Sequence, residues 1–439
     1  MNIYKLSFVA LIFLFSPLSN LYAKQVTINN NGNWISEVKK LKPGDTAVFT
    51  KGRFGTGSYS TSNKTISING TNNQPITLIG SGSHDTIFDG ESSGVVLVFE
   101  NCSNLIIENL TITNPSQSTD GRRNRIPVKS GSLSEGLVIR GGNDITIRKS
   151  LFNNIGTRGI LTAYGNGHLN RLILENNLFF NIGTDTASGD INITSGENWT
   201  IRYNLFAGNV DGIVNAGQTL GGGLIEENIF INHWQEDNID IKGHRGSKRT
   251  TIRKNIIYTN RAKTGVTVQD SSRNITIDNN MFYHGAQPGQ IWIHGRNANK
   301  GKINEPVENI NITNNVLAGD KNAQNNRGIM VKQAADKGAT HRPVPVLNLN
   351  IRDNFILNQK DPIVNLVGNN TKLSNNKFNA LPENRNQEFK NLELSILDRI
   401  VNTFSPAIIQ EAFNEAQVPL KSGTVAKKKP SPPSKLRIL

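Results

Sequence analysis

The sequence predicts an all-β chain folded as a right-handed parallel β-helix, a solenoid in which successive coils stack along one axis. Two observations predict this fold. A short segment with a shared asparagine recurs along most of the chain, and a second strand-like segment lies before each recurrence. One coil cannot bury its apolar side alone, so we expect the repeats to stack around one continuous core.

The shared asparagine recurs at intervals that fit one solenoid coil. Most intervals are 22 to 27 residues, and two longer ones of 35 and 39 residues indicate inserted loops. Stacked coils would bring these side chains together as a hydrogen-bonded ladder at a turn, because neighbouring strands lie about 4.8 Å apart. The asparagines are Asn177, Asn204, Asn228, Asn255, Asn280, Asn315, Asn354 and Asn376.

The second repeated segment defines two outward columns of side chains. Aliphatic residues alternate with variable ones, the period of two that places alternate side chains inside. One outward column then contains Val138, Leu161, Asn192, Val214, Asp240, Thr267, Trp292 and Met330. The next contains Arg140, Ala163, Thr194, Ala216, Lys242, Gln269, His294 and Lys332.

The ends of the chain differ from the repeats. Residues 1–23 have Lys5, an apolar run and a small residue at Ala23, which predicts a cleaved signal and a secreted or periplasmic protein. Cys102 is the single cysteine of the sequence, so an intramolecular disulfide cannot form and packing and hydrogen bonds must stabilise the fold. We expect a β-helix domain over 24–380, a C-terminal helical cap over 381–421 and a disordered basic tail over 422–439.

Helical patterns lie just inside both ends of this domain. A short amphipathic helix over 33–41 is expected to plug the first coil, and a helical segment over 388–417 is expected to cover the last. The second pattern is interrupted at Ser405 and Pro406. Caps of this kind protect the edges of a solenoid from pairing with other strands.

The net charge of the chain indicates which classes of partner it can bind. The formal net charge is +14, which produces a field that attracts polyanions. Export argues against nucleic acid, so we expect an acidic polysaccharide as the partner, with no membrane span and a monomeric chain.

Acidic residues collect in three consecutive coils. Carboxylates at this spacing repel one another unless a cation compensates, and Ca²⁺ takes six to eight oxygen ligands. We therefore predict a calcium site; the alternative is a solvated acidic stripe paired with basic side chains from Lys242 to Arg249. The predicted ligands are Asp190, Asp211, Glu236, Asp237 and Asp240.

With these motifs in place, the chain resembles the pectate-lyase-type β-helix superfamily of polysaccharide-active proteins. The run EDNIDIK at 236–242 is similar to the calcium-binding run of family 9 pectate lyases, with a further acid at Asp211. It is also similar to family 6 lyases, whose acid and lysine would be Asp237 and Lys242. The family 9 base would fall at Thr267 and the family 6 arginine at Gln269, so both patterns are incomplete.

The resemblance implies a polysaccharide lyase that cleaves a uronate polymer by calcium-assisted β-elimination. This reaction needs a neutralised carboxylate and a base for the proton on C5. Lys242 is the predicted base, and calcium or Arg245 the predicted neutraliser. His294 and His244 are candidate proton donors, and the candidate substrate contacts are Trp292, His244 and Asn192. The alternative for Lys242 is a counter-ion of Asp240 or Asp237.

Two other functions compete with the lyase. Residues 209–213 and 236–239 resemble the first two acidic motifs of polygalacturonase-like hydrolases, which use paired carboxylates. The later motifs of that family are absent from the matching coils. The second competitor is a non-catalytic polysaccharide-binding surface protein, because the same solenoid carries both enzymes and adhesins.

Overall fold

The computed structural model shows a parallel β-helix and confirms the predicted fold class. The structure describes residues 23–57, 59–115, 134–162, 168–183, 189–209, 213–215, 221–233, 237–259, 264–283, 289–297, 305–319, 326–333, 342–365 and 370–417. Residues 1–22 of the signal predicted over 1–23 lie outside these residues, as do the tail over 422–439, Asp211 and Glu236.

Three parallel sheets run along the solenoid. The first sheet contains Thr65–Ile66, the start of Val95–Glu108, the start of Glu135–Arg148, Ile160–Thr162, Ile191–Ile193, Ile213–Asn215, Ile239–Lys242, Thr264–Gln269, Gly289–Asn297, Arg327–Gln333 and Asp361–Asn365. A short strand, Arg342–Pro343, pairs antiparallel with the end of Gly289–Asn297.

The second and third sheets complete each coil. The second contains Gln25–Ile28, Thr46–Phe49, Ile76–Gly80, the ends of the two 14-residue strands of the first sheet, Leu169–Glu175, Thr200–Arg202, Leu224–Glu226, Thr250–Arg253, Arg273–Asp278, Val307–Thr313, Val346–Arg352 and Thr371–Ser374. The third contains Gly52–Gly55, Thr86–Asp89, Thr111–Asn114, Leu151–Ile155, Leu178–Ile182, Leu205–Ala207, Ile229–Ile231, Ile256–Tyr258, Met281–Tyr283, Val316–Ala318, Phe355–Leu357 and Lys377–Phe378.

The asparagine ladder is confirmed between the second and third sheets. From Asn177 to Asn376, each side-chain amide donates to the side-chain oxygen of the next asparagine at 2.9–3.1 Å. The residue before each of these asparagines has left-handed backbone, with φ between 53° and 58°. The ladder thus satisfies polar groups that the sharp turn would otherwise leave buried and unpaired.

The core and the outer face of the second sheet also repeat along the axis. Inside, the rings of Phe152, Phe179, Phe206 and Phe230 stack in register, with centroids 4.6–4.9 Å apart. Outside, one column alternates in charge from coil to coil, so that Glu175 and Glu226 each have a base on both sides. The column runs Glu108, Arg148, Glu175, Arg202, Glu226 and Arg253.

The predicted N-terminal cap is confirmed. The helix Trp34–Val38 buries Trp34, Ile35 and Val38 at the start of the solenoid. The ring of Trp34 packs against three phenylalanines, with its centroid 5.0 Å from that of Phe88. This aromatic cluster shields the interior of the first coils from water.

The C-terminal helices are present, but their predicted position was wrong. Glu383–Val401 and Pro406–Gln417 lie along the outer face of the third sheet instead of covering the last coil. Tyr258 donates to Glu393 Oε1 at 2.5 Å, and Asn232 donates to the carbonyl of Ala416 at 3.1 Å. In the last described coil, Leu373 and Phe378 are about half exposed, at 52% and 50%.

The composition of the third sheet explains this position. Its strands have apolar side chains on both faces, and the outer ones must be covered by another layer. Phe389, Ile396 and Phe413 from the helices complete a separate cluster with residues such as Leu178 and Ile229. Among the described helices, none is long and apolar enough to cross a membrane.

Candidate functional site

The first outward column predicted on the first sheet is confirmed by strand register, and the second is confirmed for the pairs that the described residues cover. Asn192 pairs with Val214, and Val214 pairs with Asp240. The column continues through Thr267, Trp292 and Met330. In the second column Lys242 pairs with Gln269, and His294 pairs with Lys332.

The middle of this outer face is shielded from solvent. Asp240 and His294 are each 2% exposed, and Thr267 is completely buried. The outer side chains of a bare sheet would contact water, so these positions form the floor of a protected site. Electrostatic interactions between them are stronger than at an open surface because less water screens them.

Asp240 forms an ion pair with one neighbouring side chain and a hydrogen bond with another. Its Oδ2 lies 2.5 Å from Lys242 Nζ, and its Oδ1 accepts a hydrogen bond from Gln269 Nε2 at 2.7 Å. The Lys242 side chain remains 32% exposed, so its ammonium can be reached from outside. The pair matches the counter-ion interpretation of Lys242 in this state, and it places the predicted base at the edge of the shielded floor.

Trp292 and His294 form a stacked pair two coils further on. Their ring centroids are 4.3 Å apart, with an interplanar angle of 18°. Trp292 is only partly buried. The stack occupies one face of the indole, so a sugar can use only the other face and the ring N–H.

Strand register separates Asp190 from Asp237, another of the predicted acidic ligands. Ile191, Ile213 and Ile239 are aligned, so Asp190, one residue before Ile191, corresponds to Asn238 and not to Asp237. Asp190 is completely buried. Its Oδ2 accepts from Asn209 Nδ2 at 2.9 Å and lies 3.3 Å from His233 Nε2. Asp190 is therefore part of a buried polar cluster between coils and not of the outward columns.

This buried cluster fixes the proton on His233. Asn238 donates its amide to the carbonyl of Thr264, so its Oδ1 is the atom that accepts from His233 Nδ1 at 2.7 Å. The other ring nitrogen then faces Asp190 and either accepts from its protonated carboxyl or donates to its carboxylate. Burial raises the pKa of Asp190 to about 6, so its carboxyl holds the proton below about pH 6 and releases it above.

His244 and Arg245 lie beyond the end of their strand. The ring of His244 is completely buried and lies 3.2 Å from Thr250 Oγ1, and burial lowers its pKa to about 4. We correct its assignment as a substrate contact, because this side chain is enclosed in a turn. Arg245 is 11% exposed, with its Nε 3.7 Å from Glu305 Oε2, and it does not belong to the outward columns.

The described residues do not assemble the calcium site. Among them, no three histidine, cysteine, aspartate or glutamate side chains converge as metal ligands. Both oxygens of Asp240 have partners, and Asp190 lies in the buried cluster. Two of the five predicted ligands fall outside the described chain, so the site remains a prediction and no reaction step is assigned to calcium.

Some residues of the site were not selected from the sequence. Gln269 orients Asp240, and Thr267 lies between Asp240 and Trp292 in the first column. Thr267 Oγ1 and Trp292 Nε1 are shielded from solvent and have no hydrogen-bond partner within the described chain. A buried polar atom of this kind needs a partner from a ligand or a water molecule. The column pattern already contained these residues.

Comparisons with known proteins agree with the fold. Neither a family model nor a curated protein sequence matches the chain. A mannuronic acid specific family 6 polysaccharide lyase from human gut microbiota aligns with a TM-score of 0.56 and 14% identity, over 90% of this chain and 98% of that one. PfbA, a surface adhesin of Streptococcus pneumoniae, aligns with a TM-score of 0.51 and 14% identity, over 79% and 85%.

These likenesses define the class of fold. The chain is a right-handed parallel β-helix of the architecture found in polysaccharide-active proteins. At this identity the comparison establishes the fold alone, since one solenoid carries several activities. Function must therefore be argued from the first-sheet site.

Proposed function

We propose that this protein is a polysaccharide lyase that cleaves a uronate-containing polysaccharide by β-elimination on the outer face of the first sheet. The observation that carries the proposal is the Asp240–Lys242 pair, set on a shielded floor two coils from the stacked Trp292 and His294. The net charge of +14 favours a polyanionic substrate. The similarity to a lyase of mannuronic acid supports the same class of substrate.

Elimination transfers two protons and breaks the C4–O bond of the polymer. A base takes the proton from C5, the C4–O bond breaks as a C4–C5 double bond forms, and the leaving oxygen takes a proton. Lys242 is the proposed base, and His294 is the proposed donor to the leaving oxygen. Trp292 supplies the free face of its ring to a sugar, and Asn192 is retained as a more distant contact in the first column.

Lys242 must be neutral before it can accept a proton. Asp240 Oδ2, 2.5 Å away, is placed to hold the proton that Lys242 releases. A bound polymer that excludes water makes an ion pair less favourable relative to a neutral pair, because desolvation penalises both charges. Thr267 Oγ1 offers a hydrogen bond beside this pair to the charge that develops on the substrate. Arg245, already paired with Glu305, is not assigned this task.

Carbohydrate binding without cleavage is the second candidate. The closed Asp240–Lys242 pair favours it, because an ammonium that stays protonated binds a carboxylate but cannot remove a proton. The structural likeness to a surface adhesin gives this candidate the same support from the fold as the lyase has.

A product assay separates these functions. The purified protein would be incubated with polymannuronate, polyguluronate and polygalacturonate, each with calcium or with chelator. Ultraviolet absorbance would report unsaturated ends, and a second assay would count reducing ends. Both signals rising together support elimination, whereas reducing ends without absorbance indicate hydrolysis. Neither signal, with retained binding, supports the second candidate, and the calcium arm tests the predicted metal.

A further inference from the structure

The outer face of the first sheet changes character along the solenoid axis. At its N-terminal end, Val95, Val98 and Val138 form an apolar cluster against which Leu161 packs. The cation in this region, Arg140, has Glu100 as an ion-pair partner at 3.9 Å. Beyond Lys242 the second outward column is polar, with Gln269, His294 and Lys332, so the two directions away from the proposed cleavage site are not equivalent for an acidic polymer.

Lys332 is the cation on the C-terminal side. It pairs in register with His294 and stands two residues beyond Met330, which pairs with Trp292. Its side chain is partly exposed, and within the described chain its ammonium has no ion-pair or hydrogen-bond partner. A carboxylate reaching this position would therefore meet a cation that need not first leave another acid.

Trp292 adds a hydrogen-bond donor to the same place. Its Nε1 is shielded from solvent and has no acceptor in the described part of the chain, although an indole N–H in such a position usually finds one. The ring is held by its stack with His294. The direction of this donor is thus fixed before any ligand binds, which lowers the entropy lost on binding.

We propose that Trp292 and Lys332 form a uronate-binding subsite that holds the polymer on the C-terminal side of Lys242. Trp292 Nε1 donates to a sugar hydroxyl, and Lys332 Nζ pairs with a sugar carboxylate. The strands of Lys242 and Lys332 are three spacings apart, which is about 14 Å at 4.8 Å per coil. One 1,4-linked sugar is comparable in length to one coil, so the subsite reads a residue several sugars from the cleaved bond.

The choice of a uronate polymer as the ligand rests on the proposed function, but the subsite can be tested by binding alone, without cleavage. Calorimetric titration would measure binding of a uronate disaccharide and a hexasaccharide to the wild-type protein, Lys332→Ala and Lys332→Arg. We expect Lys332→Ala to weaken hexasaccharide binding about tenfold, the loss of one charge-assisted hydrogen bond. Disaccharide binding should change less than twofold, and Lys332→Arg should retain most of the affinity.

Lys372→Ala provides the matched control, because Lys372 is an exposed lysine on the last strand of the second sheet. Equal hexasaccharide affinity in Lys332→Ala and Lys372→Ala overturns the subsite, as does the same loss for both sugar lengths or no binding at all. Lys332-dependent binding without unsaturated product supports the subsite and contradicts the lyase. Unsaturated product with no effect of Lys332 does the reverse.

Discussion

Lys242 Nζ lies 2.5 Å from Asp240 Oδ2, and the two residues occupy alternate positions of one strand on the outer face of the first sheet. Alternate residues of a strand point to the same side, so backbone geometry alone brings this acid and base together. The same contact serves either as a proton-transfer pair or as a simple ion pair. The predictions for this site follow from that choice.

Replacing Asp240 with asparagine keeps the size of the side chain and a hydrogen bond to Gln269, but removes the proposed proton acceptor. We expect Asp240→Asn to lower kcat at least about tenfold, because each pKa unit lost in driving the transfer is worth about 1.4 kcal/mol. Initial rates of unsaturated product would measure it. Asp353→Asn, at a partly exposed turn far from the first sheet, is the control, and an unchanged kcat in Asp240→Asn would remove Asp240 from the mechanism.

The asparagine ladder is expected to carry much of the stability of the coils. Asn228→Ala removes the acceptor of the backbone N–H and the side-chain amide of Asn204, and it removes one of the two donors to Asn255 Oδ1. We expect a loss of about 3–5 kcal/mol in the free energy of unfolding, since each unpaired buried group costs about 1–3 kcal/mol. Urea denaturation would measure it. Asn376→Ala, at the end of the ladder, should cost clearly less, and equal losses would contradict the ladder account.

The buried Asp190 predicts a pH-dependent stability. Burial raises its folded-state pKa to about 6, above the ordinary 3.8, so the folded protein binds the extra proton between these values. This contribution is complete below the lower pKa and is lost as pH rises through the upper one. Asp190→Asn stays neutral and retains partners for Asn209 and His233.

The stability of Asp190→Asn relative to wild type should therefore increase with pH, by about 3 kcal/mol in total for a shift of this size. Urea unfolding of both proteins at pH 4.5 and pH 7.5 would measure about 2 kcal/mol of this total, because part of the contribution is already lost at pH 4.5. Asp361→Asn, whose carboxylate is partly exposed beside Arg327, provides the control. A constant difference between wild type and Asp190→Asn at the two pH values would mean that Asp190 does not change protonation in this range.

The C-terminal helices are expected to be integral to the solenoid. Phe389 is 1% exposed against the third sheet, and Phe389→Ala should destabilise the protein by about 3–5 kcal/mol. The exposed Leu394 on the same helix is the control, and Leu394→Ala should change stability by less than about 0.5 kcal/mol. Thermal unfolding would compare them. Similar midpoints for both variants would show that the helices pack weakly.

The sequence was sufficient for the repeating parts of the fold. Asparagine spacing predicted the ladder from Asn177 to Asn376, and alternation predicted both outward columns, because each depends on local pattern and on the fixed spacing of stacked strands. The helix position was not predicted. Its signal was present in strands such as Leu178–Ile182, where consecutive apolar residues imply two covered faces.

The sequence predicted which coils contain the site, but not the exact position of every side chain in it. Column positions brought Asp240 and Lys242 together correctly, and they also contained Thr267 and Lys332. Register at the turns was harder to predict. The sequence pattern aligned Asp190 with Asp237, whereas in the structure Asp190 aligns with Asn238, one residue further along. Likewise, the burial of His244 depends on how the turn after Lys242 folds back, which no periodic pattern specifies.

The most direct test of the account compares Lys242→Ala with Lys242→Arg in the ultraviolet assay on the uronate polymer that the wild type cleaves best. Arginine keeps the positive charge but does not become a neutral base, so the account predicts that both variants lose at least about a hundredfold in kcat, within the usual contribution of a general base. The Arg variant should still bind the polymer. Near wild-type cleavage by Lys242→Arg would contradict the account and leave Lys242 as a counter-ion.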